Sequence, residues 1–115
     1  MDAIFLVGIG GAVGSLLRFE LSKIRTVRGI PLGTLIVNLT GSFAFSLLTF
    51  THAPQDLYYL VGLGGLGGFT TFSTFSYETF RMMENHDYYT MGVNILMNAA
   101  GCTIGVYAGY LMMSP

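Results

Sequence analysis

The sequence predicts an all-α integral membrane protein with four transmembrane helices and a break in the third. Its 115 residues are 52% hydrophobic and 10% charged, against roughly a quarter charged in soluble domains, and the mean hydropathy is +0.62. A bilayer core of about 30 Å takes roughly 20 helical residues at about 1.5 Å each, and four apolar segments of that order follow one another. The third carries a run of glycines, hydroxyls and phenylalanines that suits a continuous helix poorly. Together these make residues 1–115 a single transmembrane domain.

The first helix is expected over residues 3–21, with Arg18 and Glu20 in its last turn. Its start lacks the basic region and small-residue cleavage site of a secretory leader, so it reads as a retained span. The second is expected over 31–50, with Pro31 where a first turn tolerates it and Asn38 as its most costly side chain in lipid. The third runs over 57–83 and the fourth over 89–113. Ser22 to Ile30, Thr51 to Asp56 and Glu84 to Tyr88 are the connections.

Within the third segment, Gly62, Gly64, Gly65, Gly67 and Gly68 precede Phe69-Thr70-Thr71-Phe72-Ser73-Thr74-Phe75-Ser76. Glycine raises the entropy cost of a helix, and hydroxyls compete for its backbone hydrogen bonds. Yet no charge occurs from Leu57 to Tyr77. A bilayer admits non-helical backbone only where protein or a polar cavity surrounds it, so the break points to a small channel or transporter subunit.

Small residues recur at helical spacing: Gly10 and Gly14, Gly64 and Gly68, then Gly101, Gly105 and Gly109. Such rows allow close backbone approach, either within the subunit or between subunits. Polar stripes run along two other faces, through Thr34, Asn38, Ser42 and Ser46 and through Asn94, Asn98 and Cys102. Neither stripe can face lipid cheaply. Four helices enclose little volume, so the working unit is expected to exceed one chain.

Other chemistries find little support. A net charge of −1 with five scattered basic residues offers no nucleic-acid surface. Cys102 is the sole cysteine, which excludes an internal disulfide. His52 and His86 fall in connections, and no carboxylate pair lies at membrane depth, so an enzyme is not expected. The glycine run follows no strand and leads to no lysine, unlike a phosphate loop. What remains suits a desolvated small ion: amides and hydroxyls donate to an anion, and the positive edge of a phenylalanine ring faces one without binding it deeply. Carbonyls freed at the break would suit a cation.

Gly10-Gly11-Ala12-Val13-Gly14, Arg18-Phe19, Gly33-Thr34-Leu35-Ile36-Val37-Asn38, Gly41-Ser42-Phe43 and Gly67 through Ser76 resemble, in order, the motifs of the CrcB/Fluc fluoride channels. The resemblance covers three of the four expected helices, and its last motif is highly specific. It implies a fluoride-selective channel that relieves the cytoplasm passively, built in the cell membrane as an antiparallel dual-topology dimer with two pores. Phe72 and Phe75 would contact fluoride, with Asn38 orienting them and Ser73 and Thr74 beside them. Backbone carbonyls of Gly67 and Thr70, from both subunits, would hold a structural Na+ at the dimer centre. Arg18 would lie near the vestibule and Glu78 one turn beyond the phenylalanines. On the fourth helix, Asn94 and Asn98 stand where the family commonly has an aromatic hydroxyl and a serine, which keeps donors on the pathway.

Charge placement bears on assembly. Arg18, Lys23, Arg25, Arg28 and Arg81 all fall at one end of the bundle, which places the termini outside. A dual-topology chain should show little such bias, so the chain is expected to insert mainly one way and to pair with a homologous chain of opposite bias, the same chain inverted being the alternative. Two alternatives are weighed against the channel. A small multidrug-type exporter would need a carboxylate within the first helix, where none lies between Asp2 and Glu20. A noncatalytic assembly subunit of a membrane complex would carry no ion flux by itself.

Overall fold

The computed structural model describes residues 2–113. Helix α1 (Ala3–Leu21) stops where Ser22 bonds back to the Arg18 carbonyl through its amide and to the Phe19 carbonyl through its hydroxyl. The connection that follows is not an open loop. Strands β1 (Thr26–Val27) and β2 (Ile30–Pro31) pair antiparallel around Arg28 and Gly29, whose φ values of 53° and 81° are those of a tight two-residue hairpin turn. Pro31 therefore closes this hairpin, and helix α2 (Leu32–Phe50) begins one residue later.

The third expected span is divided. A short helix α3 (Gln55–Leu57) leads into a π-helical segment, Tyr58–Leu66, then into α4 (Gly67–Phe69), and a second arm, α5 (Ser73–Glu84), follows after Thr70–Phe72. Helix α6 (Tyr88–Met113) completes the chain. α1, α2 and α6 are each long and apolar enough to cross a membrane, which makes this a multi-pass membrane protein.

Glycine determines which helices meet. A methyl group on Gly10 would overlap the Leu60 carbonyl oxygen, and one on Gly14 the Gly65 carbonyl oxygen. Reciprocally, a Cβ on Gly64 would lie 2.7 Å from the Val7 carbonyl oxygen and one on Gly68 2.6 Å from that of Gly11. α1 and the π-helical segment thus press backbone to backbone. The row on α6 meets α2 instead, where Gly101 faces Leu39 and Gly109 faces Ser46. Ser46 donates across that seam to the Val106 carbonyl at 2.7 Å. All three glycine rows are spent on packing inside the subunit.

The resulting slab measures 48 × 33 × 18 Å. Its interior is unusually polar: among the described residues Thr34, Ser46, Thr71, Asn94 and Asn98 are buried, beside only Leu6, Ile30, Leu35 and Val37 of the large apolar side chains. Large apolar residues cover the outside, the distribution a lipid solvent demands.

Candidate functional site

The break starts with a hydrogen bond that leaves the helix. Thr70 is the last residue to bond back, its amide and its hydroxyl both reaching the Leu66 carbonyl, and its ψ of 160° then turns the chain into an extended conformation. In a continuous α-helix the next amide, that of Thr71, would donate to Gly67. Here it donates to Asn38 Oδ1 of α2 at 2.8 Å, and Asn38 Nδ2 donates to the Thr71 carbonyl at 3.0 Å. One side-chain amide replaces the two helical bonds Thr71 gives up, and the Gly67 carbonyl loses its helical donor.

The second arm restarts on the same residue. Thr71 Oγ1 accepts from the Thr74 amide at 3.0 Å, as a helix-capping hydroxyl does, and lies 3.4 Å from Ser73 Oγ. Gly41 of α2 makes the approach possible, because a side chain there would collide with the Thr70 methyl.

A groove of about 420 Å³ opens beside the break, lined by Asn38, Ser42, Thr70 and Thr71, by Phe72 and Phe75, and by Asn98 and Cys102 with two apolar neighbours from α6. The Phe72 and Phe75 rings lie 6.0 Å apart at 44°. Phe72 is 80% exposed, so it packs against almost nothing in its own subunit. No charged side chain lines this groove. A second cavity, about 290 Å³, is lined by Arg18, Phe19, Ser22, Gly33, Thr34, Val37, Thr71 and Thr74. Thr71 borders both, so the break forms the wall between a hollow lined by Arg18 and a groove walled by aromatic rings.

The residues singled out from sequence are thereby distributed as follows. Phe72, Phe75, Asn38 and Asn98 meet in the groove, while Arg18 and Thr74 meet in the second cavity. Ser73 sits at the break itself. Gly67 and Thr70 share a third hollow with Gly41 and Ser42. Glu78 lies a turn beyond Thr74, half-buried, and its Oε1 has no hydrogen-bond partner among the described residues. Asn94 reaches neither cavity: it is 1% exposed, behind Asn98, whose Nδ2 donates to the Asn94 carbonyl at 2.9 Å and to Asn94 Oδ1 at 3.2 Å.

Three contributors were given no role at the site from sequence, although Ser42 belongs to the polar stripe of the second helix and Thr71 to the motif of the third. Thr71 anchors both arms, Ser42 places a hydroxyl in the groove, and Thr79 accepts from Asn94 Nδ2 at 3.2 Å while donating to the Phe75 carbonyl at 2.7 Å. Only the spacing of Thr79, one turn past Phe75, hinted at that last role.

An uncharged groove with ring edges and hydroxyls can stabilise a small anion weakly, which is the condition for passage rather than retention. The Gly67 carbonyl released at the break offers the opposite polarity.

Sequence comparison agrees with this chemistry. Residues 5–110 match the family described as CrcB-like protein, Camphor Resistance (CrcB). A protein of Methanosarcina barkeri named fluoride-specific ion channel FluC 1 is 45% identical over 115 residues, covering 99% of each chain. One of Methanosarcina acetivorans named fluoride-specific ion channel FluC 3 is 45% identical over 94% of this chain and 98% of its own. One of Methanococcus maripaludis, fluoride-specific ion channel FluC, is 47% identical over 96% and 95%.

Proposed function

The chain belongs to the CrcB family, and from that membership we propose that it is the subunit of a fluoride-selective channel. The channel exports the ion passively from the cytoplasm across the cell membrane. The observation that carries this reading is the uncharged groove at the break, where Phe72 and Phe75 stand beside a helix interruption pinned by Asn38. Fluoride holds its water tightly, so a path for it must offer partial positive charge without the deep well of a buried cation. Ring edges meet that need.

The groove is half a pore. The subunit is 18 Å across its thinnest dimension, and the face that bears the groove leaves Phe72 with 80% of its surface free. A second subunit laid against the face in opposite orientation would close the groove and, by symmetry, create two. With the two breaks crossing at the centre, the carbonyls of Gly67 and Thr70 would face their counterparts and suit a hard cation such as Na+, which would act structurally. The diversion of the Thr71 amide to Asn38 favours this, because it leaves the Gly67 carbonyl without its helical donor. Arg18, in the second cavity, would draw anions toward the break. Glu78 would lie toward the same end.

The test is fluoride efflux from proteoliposomes holding this chain alone, followed with a fluoride electrode beside chloride efflux. Rapid fluoride release with little chloride release is expected. Silence from well-folded protein, persisting after a homologue of opposite charge bias is added, would overturn the reading.

A further inference from the structure

Hydrogen bonding does not stop at Asn38. Asn38 Nδ2 also donates to Asn98 Oδ1 at 3.2 Å, Asn98 Nδ2 donates to the carbonyl and side-chain oxygens of Asn94, Asn94 Nδ2 donates to Thr79 Oγ1, and that hydroxyl donates to the Phe75 carbonyl. The direction of the chain is set by backbone groups. A Thr71 amide can only donate, so Asn38 meets it with oxygen, and Nδ2 must then serve the Thr71 carbonyl and Asn98. Asn98 in turn has only nitrogen to offer Asn94, and Asn94 has only nitrogen to offer Thr79. At the far end the Phe75 carbonyl can only accept. Nδ2 of Asn38 and Nδ2 of Asn98 each make two hydrogen bonds inside the subunit, so both amides are already engaged before an anion arrives.

The chain begins at Thr71 and ends at Phe75, and the two phenylalanines lie within that interval. Its middle rests on α2 and α6, which pack closely through their own glycine seam. The break, at Thr71, and the first turn of α5, at Phe75, are thus fastened to one rigid support.

We propose that Asn94 and Thr79 are positioning residues, which fix the rotation of α5 against the break and thereby aim the Phe75 ring into the groove. This rests on the channel reading above. Asn98 serves the same chain, so the amides on α6 act on the ion through the rings. In a low-dielectric interior such a chain is cooperative, and an open link leaves neighbouring polar groups unpaired.

The test uses the full-length chain in proteoliposomes. Thr79→Val removes the hydroxyl at nearly constant volume and Thr79→Ser restores it. We expect Thr79→Val to lower fluoride efflux by up to about tenfold, the rate equivalent of one buried network bond, and Thr79→Ser to recover most of it. The chloride-to-fluoride efflux ratio should rise in Thr79→Val, because misaimed rings change selectivity, whereas a loss of folded subunits scales both fluxes alike. With 4-fluorophenylalanine at position 75, fluorine NMR in chloride buffer should show one ring environment in the parent and several, or a broadened one, in Thr79→Val. If Thr79→Val does not fold, Thr79→Cys, with its weaker donor, should give an intermediate flux and an altered ratio. Unchanged flux and ratio, or a loss that Thr79→Ser fails to recover, would overturn the positioning role. Failure of the parent chain to pass fluoride, persisting after a homologue of opposite charge bias is added, would instead sink the channel reading itself, so the two outcomes are distinguishable.

Discussion

Asn38 meets Thr71 with both ends of its amide, accepting from the Thr71 N–H at 2.8 Å and donating to the Thr71 carbonyl at 3.0 Å. A side chain on one helix thereby does for a single residue of another what a strand does for its neighbour in a sheet. The pairing resolves the central difficulty of a broken helix in lipid, which is that freed backbone groups must find partners inside the protein.

Replacing Asn38 should therefore damage stability and flux together. Asn38→Leu strands the N–H and the carbonyl of Thr71, at about 1–3 kcal/mol for each group, and also unlinks Asn98. Asn38→Asp keeps the acceptor but loses both donated bonds, so it should rank between the parent and Asn38→Leu. Thermal unfolding in detergent, set beside fluoride efflux, checks the order.

Phe72 should behave in the opposite way. With 80% of its surface free in the subunit, Phe72→Ser removes little packing, and the subunit's own stability should change by no more than about 0.5 kcal/mol. Fluoride efflux should collapse. Retained flux in Phe72→Ser would show that the ion path does not run past this ring.

Gly10 and Gly8 make a matched pair. A methyl group on Gly10 collides with the Leu60 carbonyl, while nothing lies within 4 Å of one on Gly8. Gly10→Ala should cost at least about 1–3 kcal/mol, as overpacking does, because the obstacle is backbone that cannot rotate away. Gly8→Ala should be neutral or slightly stabilising, since alanine is the better helix former. Melting temperatures of the two variants decide this directly.

Orientation is open to a labelling experiment. Lys23, Arg25 and Arg28 all sit in or beside the hairpin between α1 and α2, and Arg81 lies near the end of α5. The positive-inside tendency then predicts that a C-terminal tag is reached mainly from outside the cell. Equal labelling from both faces would show that the chain inserts both ways and pairs with its own inverted copy.

The break itself was legible in the sequence, because five glycines and a cluster of hydroxyls in a charge-free span leave few other readings. What holds it was not. Asn38 and Thr71 are separated by 33 positions and Asn38 and Asn98 by 60, and periodicity only says which residues share a face. The faces of Asn94 and Asn98 were read correctly as polar and inward, but their mutual bond and the link to Thr79 depend on where α5 lies against α6. The hairpin at Arg28 and Gly29 was missed for a related reason. Two-residue strands carry no periodic signal, and the Arg-Gly turn stands among charges that read equally well as a solvated loop.

Sequence alone determined that the chain is apolar enough to live in a bilayer and that its glycine- and hydroxyl-rich stretch departs from a straight helix. Those properties are local: hydropathy, helix propensity and spacing act over one or a few turns. Tertiary structure alone decided that the glycine rows are spent on packing within the subunit, that Asn38 takes the Thr71 amide from Gly67, and that the Asn98 amide donates to Asn94. Each is a choice among several partners a residue type would accept equally well. In a medium that supplies no hydrogen bonds of its own, only the relative placement of helices makes that choice.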